Sequence, residues 1–138
     1  MSDTIVTKEG FSADTLEGWL EPQALDTAEG GALAVRLPSD AAARDLAPHL
    51  NRIAAIAVTF PSFHDGRGFS LARRLRGMGF AGRLRAEGHV IVDQFAHALS
   101  VGFDEVAIDP ALAERQPEEQ WVMAAETALP DYRRKLAG

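Results

Sequence analysis

From Ala32 onward the chain alternates short apolar runs with segments of helical character, and this alternation limits its fold more than any other feature. The runs Ala32–Leu37, Ile53–Val58, Leu84–Ala86 and Phe103–Ile108 read as strands. Between them lie Ala41–Leu50, rich in helix formers, the amphipathic Phe69–Met78, and His89–Val101, where Ile91, Phe95, Ala98 and Leu99 recur on one helical face. Pro38-Ser39-Asp40 offers a turn and a cap, Gly79 and Gly82 end the second helix, Gly102 ends the third, and Asp109-Pro110 opens a fourth. A last helix is predicted from Pro117 to Leu129, ended by Pro130. Strands alternating with helices at this spacing imply βαβ units with right-handed crossovers in one α/β domain over residues 1–138. The expected fold is an open, mostly parallel sheet of about four or five strands with helices on both faces. The alternative is a half-barrel completed by dimerisation. Residues 1–31 read as an irregular N-terminal arm in which Ile5 and Val6 form a short edge strand and Trp19 and Leu20 are anchors. Residues 32–109 are the expected core, and 110–138 the C-terminal helices.

Composition narrows the function classes. With 46% apolar and 25% charged residues the chain reads as an ordinary folded domain. A net charge of -6 argues against a nucleic-acid partner, which requires a basic face. The absence of cysteine excludes disulfides, thiolate metal sites and cysteine-held iron–sulfur clusters. No signal-peptide or membrane-spanning pattern occurs, so no membrane partner and a cytoplasmic location are expected. Neither nucleotide fingerprint, G-x-x-x-x-G-K-[ST] or G-x-G-x-x-G, is present, nor a G-x-S-x-G elbow. No cofactor is expected.

The loop Phe60–Gly68, F-P-S-F-H-D-G-R-G, carries more ionisable chemistry than a strand-to-helix connection needs. Parallel α/β folds bind ligands outside the carboxyl ends of their strands. That rule gathers Ser39 and Asp40, then Ser62, His64, Asp65 and Arg67, then Glu87, His89 and Asp93, and finally Asp109 onto one edge. Arg67, between Gly66 and Gly68 at a helix start, can clamp an oxyanion together with free backbone N–H groups, or can close a tight turn by pairing with Asp65 or Glu87. His64 suits a general base, and a His–Asp dyad requires it to face Asp93 or Asp109. The catalytic candidates are therefore His64, Asp65 and Asp93. The substrate-binding candidates are Ser62, Gly66, Arg67, Gly68, Glu87, His89 and Asp109. Glu87, His89 and His64 form only a weak two-histidine, one-carboxylate pattern, and no metal is expected. Asp93 also suits the positive end of its helix, with His97 one turn away as a partner. Phe60, Phe63, Phe69, Phe80, Phe95 and Phe103 read as core and loop anchors, and Arg73, Arg74 and Arg76 as a solvated helix face.

These segments together resemble a bacterial family. F-P-x-F-x-D-G-R-G-x-S-x-A-R-x-L-R runs from Phe60 to Arg76, followed by G-F-x-G-x-L-R-A-x-G from Gly79 to Gly88, V-x-x-D-Q from Val90 to Gln94 and G-F-D-E-V from Gly102 to Val106. The match is similar to an uncharacterised proteobacterial family encoded beside sulfite reductase in sulfate-assimilation clusters, some members of which are labelled probable oxidoreductases of sulfite reduction. The resemblance implies a pathway and no mechanism. A chain without cysteine or a dinucleotide fingerprint has no evident redox group, so the resemblance implies an accessory protein that binds sulfite reductase, its electron donor or a small anion. The alternative is an enzyme acting on a small anionic metabolite at the carboxyl ends of the strands. Trp121, Val122, Ala125 and Leu129 form an apolar stripe on the last helix that is expected to pack on the sheet or on a second subunit of a homodimer.

Overall fold

β1 (Thr4–Thr7) and β2 (Gly10–Ala13) form an antiparallel hairpin turning at Lys8-Glu9. The four expected strands follow as β3 (Leu33–Pro38), β4 (Ile53–Phe60), β5 (Arg83–Gly88) and β6 (Glu105–Ile108), each parallel to the next. The order across the sheet is β2-β1-β6-β5-β4-β3, with β1 antiparallel to β6. This computed structural model describes residues 3–62 and 64–128, so the expectations for Phe63, Leu129 and Pro130 lie outside the described residues. The open, mostly parallel α/β sheet is the observed fold. It has six strands rather than four or five because the N-terminal arm, expected to be irregular, contributes two. Ile5 and Val6 do form a strand, but an internal one between β6 and β2.

The helices are α1 (Arg67–Gly77), α2 (Phe95–Ser100), α3 (Pro110–Arg115) and α4 (Glu118–Ala125). Asp109 caps α3 by accepting from the Leu112 N–H at 2.7 Å, as its position before Pro110 predicts. The helix expected over Ala41–Leu50 winds instead as a 3-10 helix from Ala43 to Arg52. Pro48 lies inside it and lacks the N–H that an α-helix would bond to the Arg44 carbonyl. The helix expected from His89 starts later: a 3-10 turn over Val92–Gln94 leads into α2. There the Gln94 side chain accepts the Ile91 N–H at 3.1 Å and the Gln116 side chain accepts the Val92 N–H at 2.9 Å.

Strands β3 to β6 are added in one direction, so right-handed crossovers carry every connecting helix to the same face. One apolar cluster accordingly joins Val35, Leu37, Ile56, Val58, Leu84, Val106 and Ile108 to Leu46, Leu71, Leu75, Phe95, Leu112 and Trp121 of the helical layer. Trp121 is fully buried, edge-on to Phe95 with ring centres 5.2 Å apart, and its Nε1 donates to the Gln116 carbonyl at 2.8 Å. The stripe on α4 thus packs inward through Trp121. The helices therefore line one face of the sheet rather than both. The opposite face carries the alternate strand residues, Arg36, Ala57, Arg85 and Glu105 in one row, with Arg83 and Glu87 beside them. Arg76 also departs from expectation. It is a buried residue of α1 rather than part of its solvated face.

Candidate functional site

Asp65 organises the loop between β4 and α1. Its carboxylate accepts from the Ser39 hydroxyl, from the Arg67 N–H at 3.0 Å, and from Arg67 Nε and Nη2, both at 2.9 Å. The Arg67 guanidinium and the Ser39 hydroxyl together hold the Asp65 carboxyl well below the usual carboxylate range. The Asp65 side chain is 6% exposed, whereas that of Arg67 is 61% exposed. Of the two roles open to Arg67, the structure therefore shows the turn-closing pair with Asp65. Gly68 is required by contact, because a Cβ there would stand 2.4 Å from the Phe60 ring. Gly66 meets no such contact. Ser62 braces the same turn, its hydroxyl accepting the His64 N–H at 3.3 Å and its carbonyl the Asp65 N–H at 3.3 Å.

The other candidates, Glu87 apart, share the edge but not a site. His64 is exposed, and among the described residues its side chain bonds to neither Asp93 nor Asp109. The His–Asp dyad is not assembled: Asp93 is exposed in its 3-10 turn, and Asp109 is committed to its cap. Gly88, with φ +100°, turns the chain out of β5 where a Cβ would lie 2.6 Å from the Phe60 carbonyl oxygen. His89 then sits over that carbonyl, its N–H and Nδ1 each 3.1 Å from the oxygen. His97 lies edge-on to Phe69 at 4.8 Å. Glu87 leaves the edge entirely. Strand parity turns it onto the ionic face, where it meets Arg36 at 2.8 Å and Arg85 at 3.5 Å. The pattern of His64, Glu87 and His89 therefore does not converge, and no group of three or more His, Asp or Glu among the described residues is placed to hold a metal ion.

A cleft of about 340 Å³ does border the loop, lined by Ser39, Asp40, Arg67, Ser70 and Arg74. A larger one, about 550 Å³, lies along β3 between the arm and the Ala43–Arg52 helix, with Trp19, Pro22, Arg36, Leu37, Leu46 and Thr59 on its walls. It involves none of the loop residues singled out from sequence, and its lining is mostly apolar.

The densest charged constellation lies on the ionic face. Arg85, its side chain 1% exposed, directs Nε to Glu105 at 2.6 Å and its two terminal nitrogens to Asp14 at 3.1 and 3.0 Å. Burial opposes the Arg85 charge, but the bonds it donates to Asp14 and Glu105 outweigh it and raise the pKa. Burial likewise acts to raise the Asp14 pKa, and the Arg85 bond and the Leu16 N–H bring it below its ordinary value. Arg83 pairs with Glu105. The Trp19 ring lies under two guanidiniums, those of Arg36 and Arg85, each 5.2 Å from its centre. A signal for this cluster exists in the sequence. R-L-R-A-E over Arg83–Glu87 alternates charged with apolar residues at the period of a strand whose second face is polar.

Among the described residues no helix is long and apolar enough to cross a membrane. No curated protein and no solved structure matches the chain. A family match covers residues 34–135, from β3 through the Asp65–Arg67 loop and the charged strands to beyond α4. The chain thus belongs to a family of bacterial proteins of unknown function, DUF934.

Proposed function

We propose that the protein is an accessory component of assimilatory sulfite reduction that works by contact with sulfite reductase or its electron donor. The observation that carries this reading is the outward face of α1. Its inward positions, Gly68, Leu71, Ala72, Leu75 and Arg76, are buried, and Arg73 and Arg74 are exposed beside Ser70, whereas the exposed Arg67 is paired with Asp65. No acidic residue occurs in α1, although the chain carries a net charge of -6. A cationic helix face on an acidic protein suits an acidic protein surface, where complementary charge speeds encounter and fixes orientation. The pathway comes from the resemblance of the motifs between Phe60 and Val106 to proteins encoded beside sulfite reductase. A cytoplasmic place of action goes with it. A homodimer is part of the same proposal, with Met123 of α4, 66% exposed, as its apolar contact point.

The enzyme reading has one observation in its favour, the cleft bordered by Arg67, Ser70 and Arg74. Against it, Arg67 is engaged by Asp65, and the acid–base candidates stand apart. The test is genetic and then biochemical. A deletion strain is expected to grow poorly on sulfate and normally on cysteine. Wild-type protein is expected to restore growth, and the variant R74E to fail while melting at the same temperature. Normal growth of the deletion strain on sulfate would sink the proposal.

A further inference from the structure

The segment Asp14–Trp19 crosses the ionic face without regular structure and contributes no residue to the apolar core, which takes Val6, Phe11, Leu20 and Leu25 from either side of it. Its hold on the sheet is polar. Asp14 spans the two terminal nitrogens of Arg85, and Trp19 lies under Arg36 and Arg85. An arginine whose two terminal N–H groups converge on one carboxylate has the geometry with which proteins take up external oxyanions. The groups that stay with Arg85 without Asp14 are Glu105 on Nε and Glu87 at 3.5 Å from Nη1. On the strands, Arg36, Arg83 and Arg85 then face Glu87 and Glu105, with Asp3, just before β1, also within electrostatic reach of Arg85. The strand residues of this constellation lie within the family match over residues 34–135, and the segment that fills it lies outside.

We propose that Arg85, flanked by Arg36, is a binding site for a small oxyanion of the carboxylate, sulfate or phosphate kind, and that the arm occupies it from within through Asp14. The segment Asp14–Trp19 is a tethered competitor, so the free anion binds at full strength only when Asp14 is neutralised or lifted away. The proposal is independent of the α1 face and of the sulfite pathway.

The test is titration of the full chain and of Asp14→Asn with sodium sulfate and, separately, sodium acetate, with sodium chloride holding the ionic strength constant. The change in tryptophan fluorescence is the readout and is assigned to Trp19, because Trp121 is fully buried in the helical layer, away from Arg85. Saturable binding is expected in D14N with half-saturation about tenfold lower than in the wild type, and loss of that gain in D14N/R36Q. Response to sulfate alone or to acetate alone identifies the preferred anion class, and either supports the site. Equal response in D14N and wild type, or the same response to chloride, overturns it. So does a D14N protein that melts lower yet shows no saturable change, because that is the behaviour of a purely structural brace. Should D14N not fold, acrylamide quenching of the wild type decides. A saturable rise in Trp19 accessibility with sulfate at constant ionic strength supports the site, and no rise overturns it.

Discussion

The guanidinium of Arg76 stacks on the ring of Phe80, four residues further along, with 5.4 Å between its carbon and the ring centre. From there it donates to the carbonyls of Phe80, Gly82 and Gly102 at 2.8 to 2.9 Å and to Asp104 at 3.0 Å. Asp104 also accepts the Leu84 N–H at 2.9 Å, so one buried cation ties the end of α1 to the starts of β5 and β6. Removing it takes the cationic partner from Asp104 and a donor from three carbonyls. Arg76→Leu is expected to lose about 3–5 kcal/mol, read from urea unfolding. A loss below about 1 kcal/mol would mean that water replaces the guanidinium freely.

The two glycines around Arg67 are expected to respond in opposite ways. Phe60, which an alanine at position 68 would strike, is wedged between Phe69 and Phe103, with ring centres 5.0 and 6.0 Å away. Gly68→Ala is expected to cost about 1–3 kcal/mol through overpacking. Gly66 has φ -79° and open space at its Cβ position, so Gly66→Ala is expected to be neutral or stabilising by about 0.5 kcal/mol. Thermal unfolding of the pair checks the asymmetry, and equal losses would contradict it.

Asp65 is expected to shape the acid limb of stability. Its folded-state pKa lies below the ordinary 3.8, owing first to the Arg67 guanidinium and second to the Ser39 hydroxyl. A depressed carboxyl contributes fully above its unfolded value and loses that contribution as pH falls toward the folded one. Asp65→Asn is therefore expected to melt below the wild type at neutral pH, with the gap narrowing between pH 3.8 and about pH 2. A gap of constant width across that range would show that ionisation of Asp65 is irrelevant to folding.

The arm is expected to be indispensable to folding although it precedes the family match. Ile5, Val6 and Leu25 are each at most 1% exposed, and Glu118 of α4 accepts the Phe11 N–H at 2.7 Å. A chain starting at Leu33 loses these contacts and bares the edge of β6. Its circular dichroism melt is expected to show no cooperative transition, whereas a transition like that of the full chain would contradict this.

Much of the fold is legible because its strands are apolar runs. Ile53–Val58 and Phe103–Ile108 are identifiable from composition alone, and Asp109-Pro110 announces its helix. The ladder Arg83–Glu87 is harder, since three of its five residues are charged and only their alternation marks a strand. The edge carrying the candidate site is legible too, because parallel strands send Ser39, the Asp65 loop, His89 and Asp109 to one side. What topology does not supply is side-chain direction. Parity in β5 turns Glu87 onto the sheet face, away from His89, and the acid nearest Arg67 is Asp65, two residues back. Trp19 and Asp14 could not be connected to Arg85 by spacing, since 71 positions separate Asp14 from Arg85 and the contact exists only once the arm folds across.

The sheet ends differently on its two sides, and the ends have a quaternary consequence. Beyond β3 the border is taken by Leu20, whose N–H donates to Ala34 at 2.8 Å and whose carbonyl accepts from Arg36 at 2.9 Å. Pro38, at the end of that strand, has no N–H to offer. On the far side only the four residues of β2 face outward. A half-barrel shared between copies needs a long strand border on which hydrogen bonding continues from one chain into the next, and neither side presents one. The homodimer proposed above would therefore have to join two separate sheets through side chains, leaving each copy its own ionic face and its own arm.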